Sequence, residues 1–163
     1  MSAAGKAPVT AAVRLLRAHR VEFRDHLYPY EEHGGTAASG RALGVDEHQV
    51  IKTLVMEDDL GTGLIVLMHG DCEVSTRDLA RQLGRRSIEP SRPEVAQHRT
   101  GYLVGGTSPF GTRQLLPVYA EASIRALDRI YINGGKRGYL VEMASSELWR
   151  VLNPTPVEVA RKA

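Results

Sequence analysis

Val50-Ile51-Lys52-Thr53-Leu54-Val55-Met56, then Asp58-Asp59-Leu60-Gly61, then Leu64-Ile65-Val66-Leu67-Met68, is the stretch that decides the fold. Two runs of β-branched and aliphatic residues flank a cluster of turn formers, which predicts a hairpin buried on both faces. Working outward, Ser75 with Asp78 three residues later predicts a capped helix ending at Gly84, and Ser91 with Glu94 repeats that signal. Upstream, Val13, Leu15 and Leu16 recur at helical spacing within Thr10 to His19. Val21 to Tyr28 reads as a strand, and Thr36 is placed to cap a short helix that stops near Gly44. Downstream, Arg129–Ile132 and Tyr139–Glu142 flank an Asn133-Gly134-Gly135 turn, and Ser146 to Leu152 turns Leu148, Trp149 and Leu152 inward before Pro154. Short strands with irregularly interspersed helices predict an α+β fold, a mixed, curled β-sheet or barrel flanked by helices.

The 163 residues contain no internal repeat and no linker long enough to divide them, so one domain over 1–163 is expected, large enough for a core and an internal pocket. No apolar run approaches the ~20 residues that span a bilayer, and Met1 to Lys6 are not backed by a signal-peptide core, so a soluble, cytoplasmic protein is expected. The single Cys72 excludes an internal disulfide and a multi-cysteine metal cluster. Lying between Asp71 and Glu73, it makes a poor thiolate nucleophile. The six histidines include no pair at helical metal-site spacing, and no Gly-x-Ser-x-Gly elbow occurs, so a metallohydrolase or triad hydrolase would need residues distant in sequence. From Arg77 to Arg113, seven arginines face only three acids. That stretch is either a phosphate-attracting stripe or a solvated face.

Lys52 is the conspicuous side chain, because it interrupts a strand that is otherwise nearly apolar on both sides. Its ammonium must reach solvent, pair with an acid or enter a functional cavity. Gly101-Tyr102-Leu103-Val104-Gly105-Gly106-Thr107-Ser108-Pro109-Phe110-Gly111 carries four glycines and no charge. Gly105 and Gly106 allow close backbone approach and Pro109 holds Ser108 extended, which is the composition of an oxyanion cradle and equally of a plain connection between strands. It is not a phosphate loop, since Thr107 stands where that motif has lysine and Pro109 is a poor start for its helix. Gly134-Gly135-Lys136-Arg137-Gly138 puts two adjacent cations on a turn, structural by itself and phosphate-binding if it lies near the glycine loop.

Phe23 to Tyr28, Gln49 to Leu54, Gly101 to Gly111 and Gly134 to Gly138, in this order, resemble the YbaK family of aminoacyl-tRNA deacylases, which is related to the editing insertion of bacterial prolyl-tRNA synthetase. The resemblance runs from roughly residue 9 to 160. It implies hydrolytic removal of a wrong amino acid, most typically cysteine from proline tRNA, without a metal or organic cofactor. The implied partners are the 3′ acceptor end of tRNA and, where a ternary complex forms, prolyl-tRNA synthetase, and no membrane. It assigns the essential strand lysine to Lys52, the aminoacyl pocket to Gly105 and Gly106, and a pocket tyrosine to Tyr28. Ser108 is a further candidate donor, and Thr53, Thr107, Phe110, Asn133, Gly134, Gly135, Lys136 and Arg137 are the expected substrate-binding residues. In cysteine-specific members the substrate's own thiolate attacks its ester carbonyl. This chain differs in having Asn133 where many members have Ser, and Thr107 where cysteinyl deacylases often have Ile. Sister branches that remove alanine, serine or threonine with water therefore remain the nearest alternative. A non-catalytic module that binds tRNA or the synthetase is the alternative from a different class.

Overall fold

The computed structural model describes residues 5–163; the part of the signal-peptide expectation that falls on residues 1–4 lies outside the described residues. Its helices are α1 (Ala11–Ala18), α2 (Gly35–Leu43), α3 (Thr76–Leu83), α4 (Pro93–Thr100) and α5 (Ser145–Leu152). The strands are β1 (Phe23–Leu27), β2 (Val50–Asp58), β3 (Gly63–His69), β4 (Cys72–Val74), β5 (Ile88–Pro90), β6 (Val118–Glu121), β7 (Arg129–Lys136), β8 (Tyr139–Ala144), β9 (Thr155–Val157) and β10 (Ala160–Lys162). The main sheet runs β1-β8-β7-β2-β3-β6-β9, with β5 joining β2 off this path, while β4 and β10 pair separately. Antiparallel and parallel pairs mix, as in β2/β3 against β2/β7 and β3/β6. The sheet does not close. Its path ends at β1 and β9, so the barrel option is replaced by an open mixed sheet with helices on it.

The predicted hairpin is β2 and β3, in register from Ile51 opposite His69 to Glu57 opposite Gly63. Every residue of β3 is buried because the sheet is covered on both faces. One core gathers Ile51, Ile65, Leu67, Ile132, Val141 and Phe110 under α1 and α5. The other gathers Met56, Leu64, Val66, Met68 and Leu79. The two sets alternate along β2 and β3, as a period of two requires.

Three local expectations differ from the structure. Thr36 lies inside α2 rather than capping it, since its hydroxyl meets Glu47 Oε2 at 2.7 Å and Gly70 O at 3.1 Å. Ser91 does not cap α4, because its hydroxyl bonds Glu57 at 3.1 Å and Pro93 opens the helix instead. Asn133-Gly134-Gly135 is not the reversal. β7 continues to Lys136 through a register shift between Asn133 and Lys136, and the chain turns at Arg137-Gly138, where Gly138 has φ +77°. This bulge is stabilised from inside, since Asn133 Oδ1 accepts the N–H groups of Gly135 at 2.7 Å and Lys136 at 3.1 Å.

Candidate active site

The bulge has a consequence on the neighbouring strand. β7 pairs with β2 only at Val50 and Ile51, and β5 takes up the same edge only from Met56 to Asp58. Residues 52–55 of β2 therefore have a paired strand, β3, on one edge and, among the described residues, no paired strand on the other. Ser91 N–H donates to Val55 O at 3.0 Å across this edge, so the alternation of strand backbone turns the N–H and C=O of Thr53 into the gap as well. A cavity of about 610 Å³ opens there, within the ~300–1,000 Å³ of typical small-ligand sites. Its wall is built by β2, by Tyr28, Tyr30 and His33 after β1, by Thr36 and Ser39 of α2, by Pro93 and Ala96 of α4, by Val104, Gly105 and Thr107, and by Asn133 and Arg137.

Lys52 reaches this cavity for a reason of parity. Leu54 and Met56, on the same face of β2, pack into the second core beside Cys72. Lys52 follows them inward, half-buried, and its ammonium donates to Cys72 O at 2.7 Å. Of the options the sequence left open, the cavity is the one adopted, and no acid within ion-pair reach is found among the described residues. One N–H is fixed by the carbonyl, and an ammonium has two more to offer.

The glycine loop forms the opposite wall. Gly105 has φ +89°, and a Cβ there would sit 2.5 Å from the Tyr30 hydroxyl. Asn133 Nδ2 donates to Gly105 O at 3.1 Å, while Arg137 Nε donates to Val104 O at 2.8 Å with its guanidinium 5.2 Å from the Tyr30 ring centre. Tyr28 is half-buried, and burial pushes its phenol pKa up, with Tyr30 adding to the effect.

Lys52, Tyr28, Thr53, Gly105, Thr107, Asn133 and Arg137 thus line one cavity. The other expected site residues lie outside its lining and brace the wall. Gly106 N–H is taken by Leu103 O at 2.8 Å, and its Cα is pressed against the 136–137 backbone. Ser108 is wholly buried and its Oγ accepts Phe110 N–H at 3.1 Å, with Phe110 in the main core. Gly134 lies against the Tyr139 ring, Gly135 follows at φ +100°, and the Lys136 side chain is exposed. Cys72 is also outside the lining, and its thiol pKa is raised by burial and by Asp71. Tyr30, His33, Thr36 and Ser39 line the cavity without any spacing in the sequence that would mark them.

The basic stretch is largely neutralised within the fold. Arg81 pairs with Asp78, Arg85 with Asp58, Arg92 with Glu94 and Arg99 with Glu57. No helix among the described residues is long and apolar enough to cross a membrane.

Residues 31–151 match the family described as the aminoacyl-tRNA editing domain. EbsC of Enterococcus faecalis, described provisionally as a Cys-tRNA(Pro)/Cys-tRNA(Cys) deacylase, is 25% identical over 154 residues, 94% of each chain. A proline–tRNA ligase of Brachyspira hyodysenteriae is 28% identical over 86 residues, 53% of this chain but 15% of the ligase. Among solved structures, hypothetical protein APE2540 superposes with TM-score 0.85 at 21% identity, covering 93% of this chain and all of the other. A provisionally described trans-editing enzyme for prolyl tRNA synthetase superposes with TM-score 0.80 at 19% identity, covering 95% and 99%. These two likenesses are of fold.

Proposed function

Since the chain belongs to the aminoacyl-tRNA editing domain family, we propose that it is a trans-editing deacylase that removes cysteine from mischarged Cys-tRNA(Pro), with the substrate's own thiolate as nucleophile. The observation that carries this reading is that Lys52 and Gly105 face one cavity where the edge of β2 is unpaired. An aminoacyl ester seated there meets the free N–H groups of Lys52 and the edge N–H of Thr53, donors suited to the oxyanion that develops on its carbonyl. One such donor is worth ~3 kcal/mol in the barrier, about a hundredfold in rate.

No protein nucleophile is needed in this scheme, which agrees with Cys72 and Ser108 lying outside the cavity lining. The thiolate, favoured by the neighbouring ammonium, attacks the ester carbonyl carbon and closes a cyclic thioester. The ester C–O bond breaks, the ribose oxygen leaves with a proton from solvent, and water opens the thioester to free cysteine. Lys52, Tyr28, Thr53, Gly105, Thr107, Asn133 and Arg137 orient the aminoacyl end. The reading assigns the acceptor end of tRNA as partner, with prolyl-tRNA synthetase as its source.

A second reading, hydrolysis of a hydroxyl amino acid by water, has one observation in its favour. Thr53 lines the cavity and its Oγ1 is buried without a hydrogen-bond partner, so a rotation of the side chain into the cavity would let it meet a substrate hydroxyl. Deacylation of tRNA charged with Cys, Ser, Ala, Thr or Pro separates the two. The thiol mechanism predicts rapid release of cysteine and a loss of at least ~100-fold for serine on the same tRNA. Comparable rates for serine and cysteine would refute it, and binding without release of any amino acid would leave a tRNA-binding module.

A further inference from the structure

Outside the cavity lining, three side chains from two separate parts of the chain converge. His48 comes from the single 3₁₀ turn before β2, Asp71 from the turn between β3 and β4, and Cys72 from the first position of β4. His48 Nδ1 lies 2.8 Å from Asp71 Oδ1, the Cys72 thiol donates to the same oxygen at 3.5 Å, and all three donor atoms lie within 4.8 Å of one another. We propose that His48, Asp71 and Cys72 form a three-ligand site for a divalent cation of borderline softness such as Zn²⁺. This inference is independent of the deacylase reading.

The donor set of imidazole, carboxylate and thiolate is one that Zn²⁺ takes, with a fourth position for water. Tetrahedral bonds of ~2.0–2.3 Å put ligand atoms about 3.3–3.6 Å apart, so donor atoms now within 4.8 Å of one another reach that spacing by adjustments of about an ångström. The site is also held in place around its ligands. The His48 ring stacks on His69 at 3.7 Å and 6°, while His69 is fixed by His48 O at 2.9 Å and Ser123 Oγ at 2.7 Å. Half-exposed His48 and Asp71 leave an entry path, while Cys72 is buried at the inner side. Nearby charges are mixed, with Lys52 on the Cys72 carbonyl and Glu121 close to the thiol. Binding is a substitution of ligands. The thiol proton and the proton on His48 Nδ1 are displaced, one returning to His48 Nε2 and one released to solvent, and the cation loses water to three protein atoms.

The test is a Co²⁺ titration of the full chain followed by absorption, with Zn²⁺ calorimetry in buffers of different ionisation enthalpy. The expected result is saturable 1:1 binding, a thiolate-to-cobalt charge-transfer band and release of about one proton near neutral pH. His48→Gln and Asp71→Asn, both at half-exposed positions, should each weaken binding at least ~10–100-fold, and Cys72→Ser should abolish the band. Thermal unfolding of each variant without metal checks that it folds. No saturable binding, a complex without the charge-transfer band, or equal affinity in folded His48→Gln and Asp71→Asn overturns the proposal.

Discussion

Gly106→Ala tests how the cavity wall is held, because the glycine is pressed against main chain rather than against a side chain that could swing away. The new Cβ would lie 2.7 Å from Arg137 N, 2.9 Å from Lys136 C and 3.1 Å from Lys136 Cα. Ordinary contact begins near 3.4 Å, so the loop and the turn must part by about 0.7 Å. If that displacement passes along the loop, the Asn133 Nδ2 to Gly105 O bond stretches from 3.1 Å to about 3.8 Å and is lost. Overpacking costs ~1–3 kcal/mol, which lowers Tm by about 2–12 °C in a domain of this size. A shift approaching 1 Å at a positioning wall costs up to about a hundredfold in rate. Thermal unfolding and single-turnover deacylation of Cys-tRNA(Pro) measure the two effects. A variant with wild-type Tm and wild-type rate would show that the 105–106 segment is not fixed by the 136–137 backbone.

Other outcomes follow from particular contacts. Ser75→Ala removes the capping hydroxyl to which Asp78 N–H donates at 3.2 Å and should cost ~0.5–2 kcal/mol in a denaturant melt, with deacylation unchanged; an unaltered midpoint would contradict it. The Asp58 carboxyl is held below the usual range by Thr62 N–H, against its burial, and further by Leu60 N–H and Arg85. Its contribution to stability is therefore complete above the unfolded value of ~3.9 and lost as pH falls through the folded one. Asp58→Asn should lower Tm at pH 7 and flatten the decline in Tm on acidification below about pH 4, and parallel curves for the two proteins would refute this. Burial works to raise the pKa of Glu142, but its bonds to His26 and Arg129 outweigh it and the net shift is downward. Glu142→Gln should accordingly lose stability at neutral pH and match the wild type more closely in acid, as Tm against pH would show.

The hairpin, α1 and α3 were legible because their signals are local and agree with the tertiary structure. The alternating apolar faces of β2 and β3 fit a sheet covered on both sides, and Ser75 caps α3 as its spacing predicts. Asn133-Gly134-Gly135 misled because Asn-Gly is a turn signal in isolation, whereas pairing with β8 and the Tyr139 ring over Gly134 draws the segment into a bulged strand. Ser91 misled because a tertiary partner, Glu57, takes its hydroxyl. Strands of three or four residues such as β5, β6 and β9 carry too little pattern to be read, yet β5 helps define the cavity. Lys52 stood out as a charge in an apolar strand. The gap it faces depends on where β5 and β7 join β2, which no short window of sequence contains.

In the proposed mechanism the Lys52 ammonium, seated on Cys72 O beside the open edge of β2, stabilises the oxyanion of the aminoacyl ester. Single-turnover deacylation of Cys-tRNA(Pro) by Lys52→Ala and Lys52→Arg, each checked for native Tm, measures this most directly. The expected result is a loss of at least about a hundredfold for alanine, with tRNA binding largely retained. Folded Lys52→Ala that releases cysteine at the wild-type rate would contradict it.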